Sequence, residues 1–206
     1  MSPVSAEELA ARHPRLFHMA EAGSWPSIRQ RGLLSTSALL DLFEVPEQER
    51  PALEARRRPE SVKLRHPVHG VAWLRDNKPV NLTVLRRTLY DWSEEQYFRA
   101  LNRRVFLWLD RTRLDGLLAS PSYQGRRHDL LELDTAGLLE RHGDRVELSA
   151  VNSGAVTQFS TTPRGAGLFS GLEDYPWRER RRTAAELTVL HSLPDVGELV
   201  VNVRHG

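Results

Sequence analysis

Glu186 follows a basic run by a few residues, in Arg180-Arg-Arg-Thr-Ala-Ala-Glu186-Leu-Thr-Val-Leu190, and opens an apolar segment. A carboxylate in that setting can stabilise positive charge that develops during bond cleavage, and can activate an incoming nucleophile. Two further residues stand out by their surroundings. His18 sits in the short apolar segment Leu16-Phe-His-Met19, and Arg75 stands alone in Trp73-Leu-Arg-Asp-Asn77, flanked by a polar turn rather than a charged run. Asn152-Ser-Gly154 is a polar turn after a segment of strand character, from which a hydroxyl can touch a substrate. Other arginines form runs at Arg56–Arg58, Arg103–Arg104, Arg126–Arg127 and Arg178–Arg182. Arginine forks bind phosphate by paired hydrogen bonds as well as by charge.

Other chemistries find no support. There are no cysteines, so thiolate nucleophiles and disulfides are excluded. The eight histidines contain no His-Glu-x-x-His arrangement, and the chain lacks a P-loop, a Gly-x-Gly-x-x-Gly after a strand and a Gly-x-Ser-x-Gly elbow. With 206 residues, 40% of them hydrophobic, and a net charge of +2, the composition predicts one globular domain over 1–206. No apolar stretch approaches the roughly 20 residues that span a bilayer, so no membrane partner is expected. Met1–Glu8 has neither the basic nor the apolar region of a signal peptide, which makes the cytoplasm the expected compartment.

The elements that must position these residues are legible in part. Ser5 and Glu8 have capping-box spacing for a helix from Ala6 to about Arg12. Leu16–Met19 reads as a first strand, followed by a helix with Pro26 in its first turn and Gly32 as its stop. Helices are expected over Ser37–Phe43 and Glu47–Arg57, a strand over Val71–Arg75, and a helix capped by Ser93 and Gln96 that ends near Asn102. Together 37–103 reads as a helical elaboration.

Arg104–Asp110 is the strongest strand candidate, central and covered on both faces, although its periodicity also fits a buried helix. A helix over Leu114–Leu118, a strand over Asp129–Asp134, a helix over Thr135–His142 and a strand over Val146–Val151 follow; strands over Glu186–His191 and Glu198–Val203 close the chain. Strands with interspersed helices imply an α+β domain. Between them 152–177 loses periodicity yet carries Phe159, Phe169, Tyr175 and Trp177, and reads as a long substrate-facing loop.

Phe17-His18, Ile28, Gly32-Leu-Leu-Ser35, Arg180-Arg-Arg182, Ala185-Glu186 and Leu187–Leu190 together resemble the two ends of an ADP-ribosyltransferase domain, most closely the bacterial DarT-type toxins that modify DNA. The resemblance covers both ends of the chain and little of the middle. It implies a split, mostly antiparallel sheet flanked by helices, no metal, and transfer of ADP-ribose from NAD with release of nicotinamide. By the same resemblance Glu186 is the catalytic carboxylate, facing an oxocarbenium-like ribose, and an arginine counters the pyrophosphate. Arg75 is the preferred arginine and Arg104 its rival. His18 and the adjacent Met19 backbone would hold NAD, and Ser35 and Thr36 could bond ribose or phosphate oxygens, or equally cap the next helix. The family's ring tyrosine has no match, since Val105–Leu109 offers only Phe106 and Trp108 for the ring beside nicotinamide; Trp108 is counted among the NAD-binding residues.

The acceptor expected from this reading is a nucleobase in DNA or RNA. Arg178, Arg180 and Arg181 beside Tyr175 and Trp177 combine phosphate-binding forks with stackable rings, which favours a single strand. The alternatives are an NAD glycohydrolase, a transferase acting on protein or a small molecule, and a noncatalytic nucleic-acid or protein-binding module. The toxin resemblance also implies an antitoxin partner.

Overall fold

Serine, asparagine and aspartate caps start most of the helices in this computed structural model, which describes residues 4–177 and 183–205. Helix α1 (Ala6–Arg12) begins where Ser5 Oγ accepts the Glu8 N–H, and the chain turns at once into strand β1 (Arg15–Glu21). Helix α2 (Trp25–Arg31) carries Pro26 in its first turn and stops at Gly32, ahead of the short β2 (Leu33–Leu34). Ser35 caps α3 (Thr36–Leu42), and α4 (Arg50–Glu54) is shorter than the helix expected over 47–57.

The region 37–103 is not wholly helical. It contains a hairpin of β3 (Val62–His66) and β4 (Gly70–Leu74), then α5 (Leu82–Thr88), capped by Asn81, and α6 (Glu94–Asn102). Ser93 and Gln96 complete both halves of the capping box at α6. The chain continues through β5 (Arg104–Trp108), α7 (Arg111–Leu118), β6 (His128–Asp134), α8 (Thr135–His142) and β7 (Val146–Ser149). It closes with β8 (Ser170–Gly171), β9 (Glu186–Leu190), β10 (Ser192–Leu193), α9 (Val196–Leu199) and β11 (Val200–His205). The last strand therefore starts two residues later than its apolar pattern suggests, because Val196–Leu199 turns as a helix first.

Seven strands form one sheet in the order β11-β6-β1-β5-β9-β7-β8, antiparallel at every join. Helices flank it, so the domain is α+β with an antiparallel sheet. The β1–β6 join pairs seven positions, whereas the β1–β5 join pairs Phe17 with Trp108 alone. The sheet opens beside that single pairing. Strand β5 lies in the middle, as its apolar run suggests, but its faces differ: Val105 and Leu107 are buried in the main core, while Phe106 and Trp108 are half-buried and line a cavity. The opposite face of the sheet packs on α1, α8 and α9 through Leu9, Leu138, Leu139 and Val196. Full burial of each such leucine contributes about 2 kcal/mol.

Gly32 links α2 to the β2–β10 pair at φ 89°. A Cβ there would lie 2.7 Å from Pro194 Cα and 2.8 Å from the Leu193 carbonyl oxygen. Gly32→Ala is expected to lower the free energy of unfolding by about 2 kcal/mol or more, read from urea midpoints at constant m; an unchanged midpoint would show that β10 yields at no cost.

Candidate active site

A cavity of about 330 Å³ sits where the sheet opens, and His18, Arg75 and Glu186 all line it. That volume is within the range of small-molecule clefts. Register sets its floor: Glu186, first residue of β9, lies directly opposite Trp108 of β5 on one side and Ser149 of β7 on the other. Residues opposed in this way point to the same face, so the carboxylate and the indole stand side by side.

Glu186 is 3% exposed. Its Oε2 accepts hydrogen bonds from the Ser153 N–H at 2.9 Å and the Ser153 hydroxyl at 2.6 Å. Oε1 has no partner among the described residues and is not sealed from solvent, which leaves it open to the cavity. Burial raises the carboxyl pKa from the ordinary 4.5 to about 7, against the pull of Ser153, Arg164 and Arg113. Ser153 is itself clamped. Its carbonyl accepts from the Tyr97 hydroxyl at 2.6 Å and from Arg164 Nη1 at 3.1 Å, while Arg164 Nη2 reaches the Ala155 carbonyl at 2.8 Å.

Burial and the nearby Arg75 push the His18 pKa down to about 4, so the ring is neutral at physiological pH. Its Nδ1 lies 2.9 Å from the Phe106 carbonyl. A carbonyl only accepts, so Nδ1 carries the proton and Nε2 is left as an acceptor. Arg75, just past β4, donates through Nη1 to the Met19 carbonyl at 3.1 Å, and its guanidinium lies 5.1 Å from the Tyr123 ring centroid. Its Nε and Nη2 are buried with no partner among the described residues. Buried charge-bearing donors left unpaired cost free energy, and because both nitrogens are closed to solvent, an anion in the cavity would pair with them only once the guanidinium turned toward it.

Arg104 differs in that respect. It binds both oxygens of Glu147, at 2.7 and 3.0 Å, donates to the Ala100 carbonyl, and packs 4.1 Å from the Phe169 ring centroid. Arg75 is thus the arginine of the two with donors to spare. Ser35 also lines the cavity, but its hydroxyl caps α3 by accepting the Ala38 N–H at 3.2 Å; Thr36 Oγ1 accepts from Arg58 Nη2 at 3.3 Å. Met19 is 2% exposed, packs against Leu114 and Tyr123, and lends its carbonyl to Arg75.

The expected nucleic-acid residues are not a surface platform. Tyr175 and Trp177 are 5% and 4% exposed, pack edge to face within the main core, and direct their polar tips to the Thr183 and Leu172 carbonyls. No ring face is left for a base, so their assignment to stacking is corrected. Arg178, Arg180 and Arg181 lie outside the described residues. Of the loop 152–177, only Asn152, Gly154 and Ala155 line the cavity; bridges at Val80–Val156 and Leu89–Arg164 tie it to the residues on either side of α5.

Ser153 was visible in sequence only as part of a polar turn, and Tyr97 only as an apolar position of α6. Nothing in sequence marked Arg164. Arg58, one of a basic run, is 4% exposed, donates to Asn102, Thr36 and the Arg75 carbonyl, and has its pKa lowered to about 10 by burial. Among the described residues no group of three or more His, Asp or Glu could hold a metal ion, and no helix is long and apolar enough to cross a membrane. A family model described as "Family of unknown function (DUF7002)" matches residues 14–200 of the chain. No curated protein and no solved structure matches it.

Proposed function

The chain belongs to the DUF7002 family, and we propose that it is an NAD-dependent mono-ADP-ribosyltransferase with an ADP-ribosyltransferase fold, acting on a nucleobase in DNA or RNA. One observation carries the reading. Three residues far apart in sequence, singled out as a histidine, an arginine and a glutamate of this chemistry, line one cavity at the opening between β1 and β5. The donor set also fits NAD: Arg75 has two nitrogens, Nε and Nη2, without partners, suited to a pyrophosphate once the side chain turns into the cavity, and His18 Nε2 accepts from a hydroxyl or amide.

NAD would supply an ADP-ribosyl group whose bond to nicotinamide breaks with positive charge building on the ribose. Glu186 then acts in two ways. Its Oε1 would accept a ribose hydroxyl proton's hydrogen bond and stabilise the developing charge, and with a pKa of about 7 it can take a proton from the incoming nucleophile. Ser153 holds Oε2, so the carboxylate meets the sugar in one orientation. Trp108, directly opposite Glu186, offers a flat ring at the same place.

The test is incubation with labelled NAD and separate pools of DNA, RNA and protein, following nicotinamide by chromatography. Nicotinamide release with label in nucleic acid is the expected result; no release with any pool would overturn the reading. Ser153→Ala is expected to reduce kcat/KM on the order of ten-fold and to move the pH midpoint above the wild-type value of about 7, because the lost hydroxyl stabilises the charged form. A midpoint unchanged in the variant would remove Ser153 from the mechanism.

A further inference from the structure

The outward face of the β3–β4 hairpin gathers cations and a ring that the proposed chemistry does not use. Register pairs Lys63 with Trp73 and Arg65 with Val71, and opposed residues share a face. Leu64, Ala72 and Leu74 turn the other way, onto Leu40 and Phe43. Lys63 and Arg65 are exposed, Trp73 keeps 36% of its surface open, and Lys63 Nζ lies 5.2 Å from the Trp73 ring centroid. Arg31 joins them from α2, donating through Nη2 to the Val71 carbonyl at 3.3 Å.

The charges on this patch are not cancelled locally. Among the described residues Arg31, Lys63 and Arg65 have no carboxylate partner; of the acids near the hairpin, Glu60 pairs with Lys78, and Glu44 lies 3.6 Å from His66 at the end of β3. The patch is also continuous with the cavity, because Arg31, Val71 and Trp73 line it together with Glu186. Trp73 is thus both exposed to solvent and a residue of the strand that lines the cavity.

We propose that this hairpin face is the acceptor-binding surface and that its occupant is a single-stranded polynucleotide. The inference rests on the transferase reading and names where its acceptor docks. Three unpaired cations match a repeating phosphodiester chain, and an indole face accepts any unstacked base. A base held against Trp73 lies on the strand that lines the cavity containing the carboxylate, whereas a base inside a duplex would first have to leave its stack. An acidic protein segment would engage the cations but has no flat ring for Trp73, which is why the polynucleotide is favoured.

The experiment is fluorescence anisotropy with a labelled oligothymidine of about 15 nucleotides and its RNA counterpart, over a salt series. Wild-type protein is expected to bind, more weakly as salt rises. The exposed double variant Lys63→Glu/Arg65→Glu should bind at least ten-fold more weakly, with the slope of log K against log salt reduced by about 1.4, at ~0.7 per phosphate contact on a single strand. Trp73→Ala should lose about five-fold or more, and Trp73→Phe should recover most of it. Failure of wild type to bind either strand, or unchanged affinity and salt slope in the double variant, overturns the surface, as does competition by an acidic peptide with no response to Trp73→Ala. Nicotinamide release from NAD by the wild type is read separately. Release with no effect of the hairpin variants sinks the surface and spares the transferase; hairpin-dependent binding without release supports the surface and sinks the transferase.

Discussion

Glu186→Gln is expected to slow nicotinamide release from NAD by a hundred-fold or more while making the protein more stable at pH 8. The first effect follows from the place of the charge: the carboxylate acts on positive charge that develops in the transition state, and removal of one such electrostatic group costs on the order of 10²–10³ in rate. The second follows from burial. The folded protein holds the Glu186 proton up to about pH 7, whereas the unfolded chain releases it near 4.5. Between those values the folded state binds the extra proton, so stability falls as pH rises, and above about 7 the whole displacement, on the order of 3 kcal/mol, is lost.

Glutamine has no charge to bury, and its carbonyl can accept the same two Ser153 donors. The stability difference between variant and wild type should therefore be near zero at pH 4 and largest at pH 8. His18 contributes in the opposite sense: its folded pKa of about 4 lies below the ordinary 6.5, so its stabilisation is full above 6.5 and is lost as pH falls toward 4. That contribution is common to both proteins and cancels in the difference. Urea unfolding at the two pH values, with kcat measured in parallel, checks both halves. Near-normal turnover in a folded Glu186→Gln protein would remove the catalytic role.

Arg75→Met is expected to separate stability from ligand binding in the same manner. Arg75 buries two nitrogens, Nε and Nη2, whose donors nothing among the described residues accepts, and each such group costs about 1–3 kcal/mol. A methionine of similar reach removes that cost, at the loss of one bond to the Met19 carbonyl. The free variant should therefore be as stable as wild type, or up to about 2 kcal/mol more stable. With NAD present the order reverses. Wild type at a hundred times its Kd gains about 2.7 kcal/mol from the ligand, and the variant at the same concentration should gain little, with kcat/KM lower by about a hundred-fold and mostly through KM. Thermal melts with and without NAD read this directly; an undiminished NAD-dependent rise in Tm in the variant would place the anion elsewhere.

Local chemistry was readable from the chain alone. The Ser93–Gln96 capping box, the helix over Thr135–His142 and the stop at Gly32 depend on partners a few residues away, and the strand from Arg104 shows in its own apolar run; their boundaries agree with the expected ones to within a residue or two. Elements with weak local signals were not readable. Strand β3, which alternates Lys63 and Arg65 with Val62 and Leu64, and α5, with its basic residues in one short span, are among them, whereas β4 lies within one residue of the strand expected over Val71–Arg75.

Tertiary structure decided the partners. Arg104 is neutralised only because β7, next to β9 in the sheet, brings Glu147 against it, and Arg75 keeps its donors because the buried Asp76 beside it is taken by Tyr123. Tyr175 and Trp177 have the composition of a binding loop, yet they fill the core, since burying two rings stabilises the domain more than exposing them does. Ser153 reaches Glu186 across 33 residues of chain because β7 and β9 pair in the register that opposes Ser149 and Glu186. Spacing along the sequence carries no trace of such a contact, because strand register, and with it the face on which each side chain lies, is set by the packing of the whole sheet.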